Sequence, residues 1–346
     1  MAFDPNDRAA GDSGLFGLPY SVAESKLVLL PVPFEATTSY GGGTANGPQA
    51  IFNASKQIDL FDLDLGNFFE AGIAMIDEDA AIKKWNEIAK EAAQKIIKQD
   101  NLSDQAIHSL TEVVNSHSEK VNNYVYQETK KYLSAGKQFG LIGGDHSSPF
   151  GAIKAFLEYY PDMSILHIDA HADLRKAYEG FEDSHASIMH NVMSKTALKK
   201  LVQVGIRDFC EDELDFINEN ESRIVTFFDV DRVDQKMNGV SFSAISDEII
   251  QHLSRDVYIS FDIDGLDPRF CPHTGTPVPG GLDYNEALYL LKKIIRSGRK
   301  IIGFDLCEVS PGERNGKDAL DTAAEWDANV GARVLYKLCG YLLASV

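Results

Sequence analysis

Seven short apolar runs punctuate this chain: Lys26–Val32, Phe139–Ile142, Ser164–Ile168, Leu201–Val204, Ile224–Phe228, Val257–Phe261 and Ile301–Phe304. Each is rich in Val, Ile, Leu or Phe and is bounded by Gly, Pro, Asp or charged residues. Unbroken apolar runs of this length mark strands buried on both faces, hence a parallel sheet. Helical patterns fall between them. Ser148–Tyr160 begins with a serine suited to capping and a proline suited to the first helical position, and Tyr284–Ser297 forms another. The alternation predicts an α/β fold with helices on both faces of the sheet. Ala80–Gly136 has no strand pattern. Ile82, Trp85, Ala89, Ala92 and Ile96 share one helical face, and Ile107, Leu110, Val114, Val121 and Val125 mark a longer helix after a break at Asn101–Asp104. This predicts a helical insertion at about 80–136, packed on its own subunit or against another. Residues 1–24 read as an N-terminal extension and 25–346 as the main domain.

Composition narrows the function. With 346 residues and 44% hydrophobic side chains the chain can bury a large core, which excludes disorder as a global state. Lys and Arg number 33 against 52 Asp and Glu, a net charge of −19 with no basic patch, so nucleic-acid backbones are not expected partners. No apolar run reaches the ~18 residues of a membrane span. The opening MAFDPNDRAAGDSG lacks the apolar stretch of a secretory signal. Cys210, Cys271, Cys307 and Cys339 are far apart and read as reduced thiols, so a cytoplasmic location is expected. The glycines at 41–47 lack the Lys-Ser/Thr ending of a phosphate-binding loop.

The chemistry concentrates at strand ends. Gly143-Gly144-Asp145-His146-Ser147 follows one predicted strand, Asp169-Ala170-His171-Ala172-Asp173 a second, and Asp262-Ile263-Asp264 closes a third. Ligands of α/β sheets bind at the carboxyl ends of strands, so three such motifs imply one site. In extended chain Asp169, His171 and Asp173 point one way, as do Asp262 and Asp264. Four carboxylates converging without cations would resist burial. With two imidazoles they are too many for one tetrahedral zinc. They suit two divalent ions ~3.5–4 Å apart. Oxygen-rich ligation with some imidazole favours Mn²⁺, with Ni²⁺, Fe²⁺ and Co²⁺ as alternatives. His167 shares the register of these residues and reads as a supporting or core histidine.

GGDHS, DAHAD, the block SFDIDGLDPRFCPHTGTPVPGGL at 260–282 and FDLCEVSP at 304–311 together resemble the ureohydrolases, the family of arginases and agmatinases. The resemblance implies a three-layer αβα sandwich with a mainly parallel sheet, a dinuclear manganese site, and a homo-oligomer, trimer or hexamer. By position, His146 resembles a ligand of the first metal and His171 of the second. Asp169 and Asp262 match the bridging carboxylates, Asp173 completes the first site and Asp264 the second. Glu308 matches the glutamate that holds the substrate guanidinium, a pairing suited to two parallel hydrogen bonds. His185, in Ser184-His185-Ala186, matches a mobile-loop histidine that moves protons. The implied reaction is hydrolysis of a guanidino compound to urea and an amine, with water activated by the metals and the proton passing through Asp173 and His185.

The substrate is less legible. DLR…YEG…SHA over 173–186 resembles agmatinase-type sequences. Arg175 stands where arginases place an asparagine. His273 replaces a glycine in the turn Pro272–Pro277, which gives it a potential place at the substrate. Agmatine is the first expectation; guanidine itself, a guanidino acid such as guanidinobutyrate, and formimidoylglutamate are the others. A dinuclear phosphoesterase is disfavoured by the lack of an Asn-His strand-end motif. A non-catalytic, metal-stabilised partner subunit is disfavoured because all six ligand positions are filled.

Overall fold

The computed structural model describes residues 3–98, 102–314, 317–318 and 325–345. The apolar runs form strands β1 (Leu27–Val32), β3 (Gln138–Gly143), β4 (Ser164–Ile168), β5 (Lys200–Ile206), β6 (Ile224–Phe228), β7 (Asp256–Asp262) and β8 (Lys300–Cys307); β2 (Ile73–Met75) is an added edge strand. Among the described residues they make one eight-stranded sheet, in the order β2-β1-β3-β8-β7-β4-β5-β6, with every neighbouring pair parallel. The helices are α1 (Gly47–Ser55), α2 (Ala80–Ile97), α3 (Asp104–Ser134), α4 (Phe150–Tyr159), α5 (Ile188–Lys195), α6 (Glu211–Glu219), α7 (Asp229–Met237), α8 (Phe242–Gln251), α9 (Tyr284–Arg296) and α10 (Trp326–Ala344).

Two large cores lie on the two faces of the sheet. Successive strand residues point to opposite sides: Leu27 and Leu29 join one core, Val28 and Leu30 the other. The first core is completed by α1, α8, α9 and α10, through residues such as Ile51, Ile249, Leu291 and Leu335. The second is completed by α2 to α6, through Ile82, Val125, Phe156, Val192 and Ile217. This is the αβα sandwich.

The segment read as a helical insertion forms α2 and α3, which pack on their own subunit: Ile82, Ala89, Val121 and Val125 are buried in the second core. Asp79 caps α2 and Ser103 caps α3 through side-chain oxygens. Ile107, expected on the buried face of α3, is exposed. Near the N-terminus Leu15, Phe16 and Leu18 are buried in the first core, and the Phe16 N–H donates to the Ser55 hydroxyl. A second local expectation fails. Ser148 does not cap α4; Pro149 is the N-cap residue, and the buried Ser148 hydroxyl has no partner among the described residues.

Candidate metal centre

Strand order decides where the motifs meet. The strands β3, β8, β7 and β4 are consecutive in the middle of the sheet. His146, Glu308, Asp262 and Asp169 follow or end these strands at their carboxyl edge, so His146 and Glu308, 162 positions apart in sequence, become neighbours. The chain leaves β4 toward β5 on one side and β7 toward β8 on the other, so the direction of the connections reverses between these two strands.

The structure brings all six expected ligands together. Asp169, Asp173, Asp262, Asp264 and His146 are at most 5% exposed. One ligand atom from each of His146, His167, Asp169 and Asp173 lies within 4.8 Å of the others, and Asp169, His171 and Asp264 form a second such group. Asp169 belongs to both. Its Oδ2 is 3.0 Å from His146 Nδ1, and its Oδ1 is 3.5 Å from His171 Nδ1. Asp264 Oδ2 lies 3.0 Å from His171 Nδ1 on the far side. Asp262 places Oδ2 3.2 Å from His146 Nδ1, while its Oδ1 accepts the Asp264 N–H at 2.8 Å.

Local backbone differs from the extended reading of Asp169–Asp173. Asp173 is left-handed (φ 56°), so simple alternation does not aim it. Its carbonyl accepts N–H groups from Met189 and His190 at the start of α5, which turns the carboxylate into the cleft. Glu308 is also left-handed, at φ 64°. Its N–H donates to the Gly144 carbonyl and its own carbonyl accepts from Thr274 Oγ1. Such strain persists only where surrounding bonds over-determine it. Gly144 must be a glycine for another reason: a Cβ there would lie 2.2 Å from the Phe34 carbonyl oxygen.

The donor set fits divalent cations. His146 Nε2 lies 2.9 Å from Ser260 Oγ, and Ser260 donates its own proton to Asp305 Oδ1 at 3.0 Å. The serine oxygen therefore accepts from His146 Nε2–H, which leaves Nδ1 with a lone pair. That lone pair faces carboxylate oxygens of Asp169, Asp262 and Asp173 at 3.0, 3.2 and 3.4 Å. A lone pair facing three anions is repulsive, so Nδ1 holds a proton when no metal is bound and offers the lone pair to a cation when one is. The carboxyls report the same imbalance. Burial, then Asp264 and Asp169, push Asp262 well up. Burial, then Asp169, push Asp173 up to about 6. Among the described residues, no lysine or arginine lines the cleft except Arg175 at its rim.

His167 supports the centre without offering a ligand. Gln203 donates an amide hydrogen to its Nδ1 at 3.0 Å, so Nε2 carries the hydrogen and donates it to Asp169 Oδ2 at 2.7 Å. Gln203 in turn accepts from Thr226 Oγ1. Thr226, Gln203, His167, Ser260 and Asp305 are register partners on five adjacent strands, forming one polar row across the sheet beneath the ligands. Sequence reasoning missed Gln203, Ser260 and Asp305; for Gln203 and Ser260 the available signal was a polar residue inside an apolar run, while Asp305 directly follows its run.

A cleft of about 150 Å³ opens above the ligands, lined by Ser39, Tyr178, His185, Thr276 and Glu308 among others. Glu308 Oε1 accepts the His146 N–H at 2.9 Å. Burial, then Asp145, push its carboxyl well up. His185 Nδ1 lies 3.0 Å from Thr37 Oγ1. Burial, then His171, lower its pKa to about 4, so the ring is neutral at pH 7. Arg175 stands at the rim, its guanidinium 4.9 Å over the Tyr178 ring and its Nε 3.5 Å from Glu213 Oε2. His273, expected at the substrate, stands apart from the cleft. Its ring is half exposed, pairs with Asp327 Oδ2 at 2.8 Å and lies outside the cleft lining. Thr276, from the same turn, lines the cleft instead.

The sequence model of the arginase family matches residues 25–340. The chain belongs to the arginase family. It is 33% identical over 293 residues to the N(1)-aminopropylagmatine ureohydrolase of Thermus thermophilus, covering 85% of each chain. It is 34% identical over 289 residues to the agmatinase of Halalkalibacterium halodurans, covering 83% of this chain and 85% of that one. In fold it is similar to the proclavaminate amidino hydrolase of Streptomyces clavuligerus, with TM-score 0.71, 24% identity, and coverage of 99% and 100%. This arginase-family chain is thus a hydrolase of the amidinohydrolase type, with buried His/Asp groups able to hold metal. No helix among its described residues is long and apolar enough to cross a membrane.

Proposed function

We propose that this protein hydrolyses a guanidino compound to urea and an amine, using two divalent cations held by His146, Asp169, His171, Asp173, Asp262 and Asp264. The observation that carries this reading is Asp169, whose two oxygens reach toward two different imidazoles within one buried carboxylate cluster. Mn²⁺ is the proposed metal and Ni²⁺ the alternative, since the donor set is oxygen-rich with two imidazoles. Cations bound there supply water of lowered pKa at neutral pH.

The chain's own groups do the rest. Glu308 has one oxygen held by the His146 N–H and pairs with the substrate guanidinium above the ligands. Asp173 takes the proton released by the attacking water. The neutral His185 ring carries it to the departing nitrogen, which leaves as amine. Agmatine-type substrates are supported by the curated relatives. Arg175 favours a second reading, because a cation on the rim disfavours a positively charged tail and suits a guanidino acid or guanidine itself. We extend the proposal to a cytoplasmic homo-oligomer, trimer or hexamer, which light scattering would test.

The deciding experiment is urea release over a panel of agmatine, arginine, guanidinobutyrate and guanidine, repeated with Mn²⁺ and Ni²⁺. Formimidoylglutamate, assayed for formamide, completes it. Activity on one member that disappears in Asp169→Asn supports the reading. No activity with either metal, or activity that survives Asp169→Asn, refutes it.

A further inference from the structure

The helices α2 and α3 contribute no residue to the cleft lining, yet the two loops that meet at His185 are both fastened to them. The first loop follows β1. At its start the Asn86 side-chain oxygen of α2 accepts the Glu35 N–H at 2.8 Å. The Glu35 carboxylate is buried. One oxygen accepts from Gly43 N–H at 2.7 Å and from Thr44 Oγ1 at 3.0 Å; the other pairs with Lys90 of α2. Between these anchor points Thr37 Oγ1 accepts the His185 N–H at 3.1 Å and lies 3.0 Å from its Nδ1. Further along, the Gly41 N–H donates to the Gly275 carbonyl. A Cβ at Gly275 would lie 3.3 Å from Glu308 Oε2.

The second loop carries Arg175, Tyr178 and His185. Ala177 and Glu179 in it are left-handed non-glycine residues, as is Asp173 before them. Their backbone strain requires an external hold. Phe181 supplies one. Its side chain is fully buried, not in either sheet core but in a small separate cluster with Ala92 and Ala93 of α2 and Val114 of α3. Next to it the Glu182 N–H donates to Asn115 Oδ1 of α3 at 3.0 Å.

We propose that the α2–α3 pair is a positioning element of the active site. Lys90, acting through Glu35, and the α2–α3 pocket, acting through Phe181, hold the two loops in the register that joins Thr37 to His185. This rests on the proposed role of His185 as proton carrier. The geometric part, that the helices order these loops, stands without that role.

The test uses Lys90→Met and Phe181→Ala in the metal-loaded full chain, with Ile294→Val in the core of the opposite face as a stability control. Hydrogen exchange read by mass spectrometry should rise in 35–44 and 174–187 in both variants, with strands β3, β4, β7 and β8 unchanged. The activity readout should show kcat reduced about tenfold to a hundredfold, as expected of misplaced catalytic groups, with metal content per chain unchanged. Lys90→Arg should restore most of the rate. In a His185→Ala background Lys90→Met should cause no further loss. Exchange that rises evenly through the molecule, or that stays at wild-type level in both loops, overturns the proposal. So does a kcat loss that persists in full when His185 is already absent. If wild type lacks activity on every guanidino substrate, the exchange data alone decide the positioning claim, and the failure belongs to the functional reading.

Discussion

Removing divalent cations should make the protein less stable as pH rises through the neutral range, and restoring them should reverse that trend. Without metal the cluster must bury several acids together. Asp173 then has its pKa raised by burial and by Asp169 from 3.8 to about 6, and Asp262 moves in the same direction. A carboxyl whose pKa is higher folded than unfolded contributes stability that is complete below the unfolded value. The contribution is lost as pH climbs through the folded value. For Asp173 alone the change is worth about 3 kcal/mol, lost between pH 3.8 and about 6, so about half of it falls above pH 5. His146 and His171 add to it. Burial alone would lower them, but surrounding carboxylates raise both well above the ordinary histidine value. Their favourable protonation is also lost with rising pH. Asp169 has the opposite sign: despite burial, His167 and His146 hold it well below 3.8, so it titrates under this window and does not oppose the trend. Bound cations require deprotonated ligands, so their stabilisation grows with pH. Denaturant unfolding of chelator-dialysed and Mn²⁺-reloaded protein at pH 5, 6, 7 and 8 reads both slopes. The stripped form should lose several kcal/mol between pH 5 and 8, and the gap to the loaded form should widen. A stripped protein that gains stability over that interval, or two forms that track each other, would refute the electrostatic account of the site.

Glu308→Gln keeps the volume and removes the charge, so kcat/KM should fall about a hundredfold, in line with loss of a charge-assisted pair, while metal analysis still returns the wild-type stoichiometry. Asp264→Asn removes the carboxylate that groups with His171 and Asp169 and whose Oδ1 accepts the Ala170 N–H. Elemental analysis should then give about one ion per chain where wild type gives two, with the retained ion at the His146 side; unchanged stoichiometry would argue against the assignment.

Most of the sheet is legible in the sequence because its strands are buried on both faces and their apolar runs stand out. The edge strand Ile73–Met75 is only three residues long and escapes that pattern. Ile301–Phe304 extends to Cys307, past an aspartate that looks like a strand terminator. Asp305 continues the strand because it is buried and accepts from Ser260 on the neighbouring strand. Side-chain parity alone cannot aim Asp173, whose left-handed backbone depends on the later helix α5. The place of His273 was not legible either, since its partner Asp327 lies 54 residues downstream. Cross-strand register, which no local pattern carries, builds the supporting row under the ligands.

That row has a consequence for how the protein can change. Thr226, Gln203, His167, Ser260 and Asp305 sit one per strand, and each uses a neighbour to satisfy a buried polar group. Within the bonded pairs Thr226–Gln203, Gln203–His167 and Ser260–Asp305, swapping one member for an apolar residue strands its partner, at roughly 1–3 kcal/mol for each orphaned group. Viable drift there must come in matched pairs on adjoining strands, which makes these five positions a lock on the centre's architecture even where nothing touches substrate.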